Sequence, residues 1–176
     1  VSPDIFNGPL TVTNSGSNYI FLAHNVAGNQ FNNNIILNNT GSALGILFSN
    51  NATGASTFTG GFLSVGGSGF STGDLRLRRF SQTGAFNQTL TLTGSSRLWI
   101  GPNSSFDGNV TFTSPQLLLN GATYNGITYL ETSGASPSGA NDGTGGNIFN
   151  QQTTIVNSGS AYLLTASTSP DIFNNN

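Results

Sequence analysis

Six stretches of this chain share one pattern: an aromatic residue, a polar or glycine pair, apolar residues in alternation, and a turn of Ser, Gly or Asn. They are FNGPLTVTNSGS from Phe6, FNNNIILNNTGS from Phe31, FTGGFLSVGGSG from Phe58, FNQTLTLTGSSR from Phe86, FDGNVTFTSPQL from Phe106 and FNQQTTIVNSGS from Phe149. A weaker copy, YNGITYLETSG, begins at Tyr124. Self-similarity at this spacing confines a chain to stacked or arrayed units, because a segment so short cannot bury its own apolar face.

The fourth residue after the aromatic is Leu10, Ile35, Phe62, Leu90, Val110 or Thr153, and the sixth is Val12, Leu37, Ser64, Leu92, Phe112 or Ile155. A period of two is that of a strand. Beyond each turn comes a second apolar cluster, as in Tyr19 to Leu22, Leu44 to Phe48, Leu98 to Ile100 and Leu117 to Leu119. Each repeat is therefore expected to carry two strands and two turns. The anchors are spaced by 25, 27, 28, 20, 18 and 25 residues, and Phe173 follows 24 later, so seven intervals make 167.

Coils of this length with no helical period predict an all-β chain, a parallel β-helix (β-solenoid) of about seven coils per 167-residue unit. Neighbouring coils would lie about 4.8 Å apart, so that like residues fall on like. Phe6, Phe31, Phe58, Phe86, Phe106, Tyr124, Phe149 and Phe173 would then stack in one corner of the core. The Asn residues after them would exchange amide hydrogen bonds from coil to coil. The competing architecture is a pair of immunoglobulin-like sandwiches, with antiparallel strands at shorter regular spacing around a core Trp.

A longer repeat encloses the short one. The hexapeptide SPDIFN occurs at 2–7 and again at 169–174. This is expected to divide the chain into one unit over 1–168 and the start of a following unit over 169–176, as in an excerpt from an array, with any export signal expected outside it. The stretch SGASPSGANDGTGGN at 133–147 has nothing to bury and is expected to project as a loop.

Six acids, four Arg and no Lys give a formal charge of -2, which supplies no cationic footprint for nucleic acid or an anionic membrane. No apolar run reaches the roughly 18 residues of a membrane span. The chain has no Cys, so neither a disulfide framework nor a thiolate metal site is available. Solubility must come from Asn, Ser, Thr and Gly, a balance typical of exterior proteins.

The phrases FNGPLTVTNSGSNYIFLAHNVAGNQFNNNI, FSTGDLRLRRF, SPQLLLNGATYNG and GGNIFNQQTTIVNSGSAYLL resemble the tandem units of very large, repetitive surface adhesins of Bacteroidota, a group that includes gliding-motility adhesins and hook-like filament proteins. The resemblance runs over essentially the whole 167-residue period. It implies export by the type IX secretion system and a location outside the cell, attached to its outer surface. Its partners would be neighbouring repeats of the same chain, identical chains in a multi-chain filament, and a cell-surface or glycan target met by other regions.

Motifs that carry chemistry are sparse. GFSTG at 69–73 matches G-x-S-x-G around Ser71, but a nucleophile elbow needs a following helix, a His and an acid. His24 is the single His, too little for a usual zinc site. A polysaccharide-degrading β-helix would gather acids on adjacent coils, and Asp74 and Asp107 are the nearest pair of comparable coil position. GGSGFS at 66–71 has Ser where a calcium nonapeptide needs Asp, which leaves Asp142, Asp4 and Asp171 as isolated oxygen donors. Sequons at Asn38, Asn51, Asn87, Asn103 and Asn109 are about as many as this composition yields by chance.

The expectation is thus no catalytic residue, no metal and no cofactor. The one surface patch is DLRLRRF, where alternation places Asp74, Arg76 and Arg78 outward beside Arg79. Such charges keep a strand face solvated and discourage unwanted sheet pairing. Alternatively they meet an acidic or carbonyl-rich surface. Tyr19, Tyr129 and Trp99 are the aromatic candidates for a glycan-binding face, the second functional reading beside a structural repeat.

Overall fold

The computed structural model describes residues 2–24, 27–51, 53–136 and 143–175. All regular structure among them is β, and every strand pairing is parallel. The chain winds as a three-sided solenoid. The first turn is β1 (Ile5–Phe6), β2 (Leu10–Asn14) and β3 (Tyr19–Leu22); the second is β4 (Gln30–Phe31), β5 (Ile35–Asn39) and β6 (Gly45–Phe48). The third is β7 (Ser56–Phe58), β8 (Leu63–Phe70) and β9 (Asp74–Leu77), and the fourth is β10 (Phe80–Gln82), β11 (Gln88–Thr91) and β12 (Arg97–Ile100). The fifth is β13 (Ser105–Phe106), β14 (Val110–Ser114) and β15 (Gln116–Leu119). Two further turns carry β16 (Thr123–Tyr124) with β17 (Thr128–Thr132), and β18 (Ile148–Phe149) with β19 (Thr153–Asn157), before β20 (Ile172–Phe173) opens another rung.

The aromatic residue thus sits on a short strand of its own, which gives three strands per turn where the pattern predicted two. These short strands form one continuous eight-stranded sheet, β1-β4-β7-β10-β13-β16-β18-β20. The second face is split into β2-β5-β8 and β11-β14-β17-β19, and the third is β3-β6-β9-β12-β15 in spatial order. Parallel stacking with a common register puts each inward residue on its counterpart one turn away, so the core is a set of columns. On the third face Ile20, Ile46, Leu75, Leu98 and Leu117 form one such column. From the second turn on, each of its members is 0% exposed.

Seven of the eight aromatic residues share one ladder, and six of them stack ring on ring. Phe6 stacks on Phe31 at 5.1 Å, Phe106 on Tyr124 at 5.5 Å, Tyr124 on Phe149 at 4.9 Å and Phe149 on Phe173 at 4.9 Å, with the planes within 14° of parallel. Phe86 is the exception. The residue between Phe58 and Phe106 in the ladder is Gln82, and Phe86 lies at a corner, 42% exposed. The ring missing at position 82 is supplied from two residues earlier. Phe80 is fully buried, 5.9 Å from Phe58, 6.2 Å from Phe106 and edge-on to Phe48 at 5.2 Å.

Gln82 fits the core because its amide is fully used. Its Oε1 accepts from the amides of Asp107 and Gly108, each at 3.0 Å, and its Nε2 donates to the carbonyls of Thr83 and Gly84 at 3.1 and 2.8 Å. These bonds close the longer corner that Phe86 occupies. Gly108 is required there, since a Cβ would come within 2.0 Å of the Phe86 carbonyl oxygen. Gln88 does the same on the second face. Its Oε1 accepts from the Leu63 amide at 2.7 Å and its Nε2 donates to the carbonyls of Phe86 and Gly61 at 2.9 and 3.2 Å.

The same register moves two other positions. Leu63, and not Phe62, pairs with Ile35, and Phe62 is 52% exposed; Leu90 pairs with Phe112, where Val110 had been its expected counterpart. The amide ladder beside the aromatic column is present. Asn32 Nδ2 donates to Asn7 Oδ1 at 2.8 Å, Asn125 to Asp107 Oδ1 at 2.8 Å, Asn150 to Asn125 Oδ1 at 2.7 Å and Asn174 to Asn150 Oδ1 at 2.7 Å. Of the 133–147 stretch, residues 137–142 lie outside the described residues. Its two flanks run in the wall of the solenoid: Gly134 N donates to the Pro115 carbonyl at 3.1 Å and Gly145 N to the Leu119 carbonyl at 3.2 Å.

Candidate functional site

The charged patch expected on DLRLRRF is built on the outer side of the third face. There Gly45, Asp74, Arg97 and Gln116 fall in one outward column, and Leu47, Arg76, Trp99 and Leu118 fall in the next. Gly45 lets the neighbouring turn close in: its φ is +145°, and a Cβ would lie 2.1 Å from the Asp74 carbonyl oxygen. Asp74 points outward as alternation requires, yet only 2% of its side chain is exposed.

Two arginines cover it. Arg76 donates from Nε and Nη2 to Asp74 Oδ2 at 3.0 and 2.6 Å, and Arg97 from Nε to Oδ1 and from Nη2 to Oδ2 at 2.6 and 2.9 Å. The carboxylate thus accepts four charge-assisted bonds, which offsets its removal from water. Arg76 is also stacked over Trp99, its guanidinium carbon 4.4 Å from the ring centroid. Arg78 and Arg79 stand apart from this cluster. Arg78 donates to the Asn50 carbonyl at 2.8 Å, and Arg79 turns the corner after β9 with a φ of +46°.

Arg97 was absent from the expected patch because it lies 23 residues from Asp74 in sequence. The available signal was the alternation R-L-W-I, which puts Arg97 and Trp99 on one side of a strand in register with D-L-R-L. What the face presents is a carboxylate neutralised by two guanidinium groups and an indole already covered by one of them.

The remaining candidates are dispersed. Tyr129 and Glu131 share the outer side of β17, where Glu131 accepts from the hydroxyls of Ser158, Tyr129 (3.0 Å) and Thr113 (3.4 Å). The bond from Ser158, then that from Tyr129, hold the Glu131 carboxyl below its ordinary range, and the bond to Glu131 raises the Tyr129 phenol. Tyr19 packs its ring 5.8 Å from that of exposed Phe21, which in turn lies 4.6 Å from the ring of His24. His24 Nδ1 is 3.4 Å from the Asn50 amide nitrogen.

Ser71 lies at the corner between β8 and β9, so a strand follows it where a nucleophile elbow needs a helix. Asp74 is on the third face, while Asp107 follows β13 on the aromatic face and is held by Asn125, so the two acids are not neighbours. Asp171 accepts from Asn147 N and Nδ2, both at 2.9 Å, whereas the Asp4 amide donates to Asn29 Oδ1 at 3.1 Å. Asp142 lies outside the described residues. A small open groove running across the fourth, fifth and sixth turns is lined by uncharged residues such as Ser95, Ser96, Pro115, Gln116 and Gly134.

The fold and this surface define a parallel β-solenoid with one outer ion-pair cluster among the described residues, Asp74 held between Arg76 and Arg97. No protein-family model, curated protein or solved structure matches the chain.

Proposed function

We propose that the chain is a structural repeat, one rod segment of a long extracellular adhesin or filament, whose work is reach and stiffness. The observation that carries this reading is the position of β20. Ile172 and Phe173 continue the aromatic ladder one rung beyond Ile148 and Phe149, and they have the same identities as Ile5 and Phe6, which start it. The 167-residue sequence period is therefore also a period of the stack. Successive units would add to the rod without a hinge, each contributing seven steps of the ladder, roughly 34 Å at the usual spacing. A columnar core, an outer amide ladder and the self-paired Asp74 cluster suit a segment that must stay folded and unreactive outside the cell. Secretion by the type IX route and attachment to the outer surface of a bacterium of the Bacteroidota belong to the same proposal.

Small-angle scattering of proteins containing one, two and three in-frame periods tests it. The longest dimension should grow by one constant increment per period, with a constant cross-section. Profiles of flexibly linked beads would refute the rod. A glycan array with the 176-residue chain addresses the adhesive alternative, in which Tyr19, Tyr129 or Trp99 meets sugar. A spacer should bind nothing, whereas binding that disappears on replacing Arg76 and Arg78 with Ser would favour an adhesive face.

A further inference from the structure

The outer side of the aromatic sheet differs in chemistry from the other two walls. The rings of the column, with Gln82 among them, point inward, so the residues on either side point outward in two parallel columns. One column is Gln30, Thr57, Ser81, Ser105 and Thr123, in a single unshifted register up to Ile148. The other is Asn32, Thr59, Thr83, Asp107, Asn125 and Asn150, each the residue after an inward side chain. Every member carries a hydroxyl, an amide or, at Asp107, a carboxylate, and none is buried. The second face mixes Thr89 and Thr111 with Tyr129, Glu131 and Val156 and shifts register at β8. The third carries Leu47, Leu118 and the Asp74 cluster.

The side chains of this array are fixed in advance. Ser81 and Ser105 share a hydrogen bond at 3.1 Å, and Thr59 donates to Asn32 Oδ1 at 2.8 Å. Asn125 donates to Asp107 at 2.8 Å and Asn150 to Asn125 at 2.7 Å, so bonds run along the columns from turn to turn. Each such bond uses one hydrogen of an amide and one lone pair of an oxygen, which leaves further donor and acceptor capacity toward solvent. Thr57, Thr83 and Thr123 are β-branched and stiff on a strand. Groups held this way lose little freedom when they bind.

The chemistry of the array selects its ligand. With its rings turned inward it offers no aromatic platform on which bases could stack, and with one carboxylate and no cation it has no hold on phosphate or an anionic lipid surface. Its polar side chains give a protein partner no apolar centre to bury. What it does offer is regularity in two directions. Hydrogen-bonding groups repeat about every 4.8 Å along the axis, and the two columns stand two residues apart on each strand, about 6.6 Å. Water oxygens on the prism plane of hexagonal ice repeat at comparable distances in two perpendicular directions.

We propose that this face binds ice. Water held on the fixed hydroxyls and amides lies at lattice-like intervals, so it joins a crystal surface with little further ordering, and the bridging waters then hold protein and crystal together. The inference rests on the aromatic face alone. A stalk could lack it, and it would persist in a chain that is no stalk, so the two readings fail separately.

Nanolitre osmometry and partition into a growing ice hemisphere test it on the full 176-residue chain and two double variants. The unaltered chain should open a gap between melting and freezing points and be taken up by the ice. Thr57→Lys with Thr123→Lys raises two long cations above the array and leaves the backbone bonds of both strands intact. It should lose the gap and the uptake with an unchanged circular dichroism spectrum. Thr89→Lys with Thr111→Lys makes the same change on the second face, where both residues are exposed, and should keep both properties. No gap and no uptake by the unaltered chain would overturn the proposal. So would survival of both properties in Thr57→Lys with Thr123→Lys, equal loss in the two double variants, or retention by crystalline cellulose or chitin in place of ice.

Discussion

Phe80 and Phe86 share a residue type and the same short segment, and the two possible registers of the fourth turn assign them opposite roles. The structure buries Phe80 fully among Phe48, Phe58 and Phe106 and leaves Phe86 at a corner with one edge-on partner, Phe62, at 6.0 Å. Truncating a buried Phe to Ala costs about 3–5 kcal/mol, through lost transfer energy and the cavity left behind. Three aromatic neighbours place Phe80→Ala toward the upper end, since each such pair adds about 0.5–1.5 kcal/mol beyond its area. Phe86→Ala exposes little that was not already exposed, and its partner Phe62 is itself 52% exposed, so about 1 kcal/mol or less is expected. Urea unfolding followed by far-ultraviolet circular dichroism compares them, and the midpoint shift for Phe80→Ala should be several times the larger. Solenoids can unfold segment by segment, so the comparison should use matched midpoints and slopes. Equal shifts, or a larger one for Phe86→Ala, would refute the register and restore Phe86 to the aromatic column.

Three further outcomes are expected. Gln88→Leu removes the acceptor of the buried Leu63 amide, and should destabilise by about 1–3 kcal/mol in the same unfolding assay despite its apolar gain. The Tyr124 hydroxyl is buried with no partner among the described residues, and burial, with the Asp171 charge adding to it, pushes its phenol well above the ordinary value. The fold therefore favours the protonated phenol, so stability is complete below the unfolded value of about 10 and falls as pH rises through it. Tyr124→Phe should be neutral or stabilising near pH 7 and should lose that alkaline limb in a series of thermal melts. Trp99 is the only Trp, so its fluorescence reports the Arg76 stack: Arg76→Ala should shift its emission while leaving the far-ultraviolet spectrum unchanged. An unshifted emission would show that the guanidinium does not cover the ring in solution.

The architecture was legible because a solenoid writes its period into the chain. Phe6, Phe31, Phe58, Phe106, Tyr124, Phe149 and Phe173 could be aligned by eye, since stacking places like on like and a core corner favours one shape. The third strand of each turn was not legible. A strand of two or three residues such as Ile5–Phe6 has no room to show alternation, and its existence follows from ladder bonds that only the fold brings together. The patch was half legible: alternation located Asp74 and Arg76, but nothing local shows that Arg97 from the next turn closes over the carboxylate. Outward direction and exposure are separate properties, and Asp74 has the first without the second.

The misplaced register and the one fault in the wall have the same origin. In the third and fourth turns β8 bulges between its pairings with Leu37 and Asn39, and the second face breaks there into two sheets. A bulge and a long corner shift the aromatic away from its usual distance before the second strand. The pattern then matches Phe86, which has the right neighbours in sequence and the wrong place in space. The chain compensates with side chains in place of backbone: Gln88 supplies the acceptor for Leu63, Gln82 closes the corner, and Phe80 restores the ring. A polar residue standing where the period demands an apolar one is thus the sequence trace of a fault that has been bridged. Backbone ladders on the aromatic and third faces run unbroken past this point, so two of the three walls hold the turns together across it. Under axial tension the second face between β8 and β11 is where the solenoid should open first, because there the Gln88 side-chain bonds and the backbone bond from the Thr93 amide to the Phe70 carbonyl stand in for a ladder.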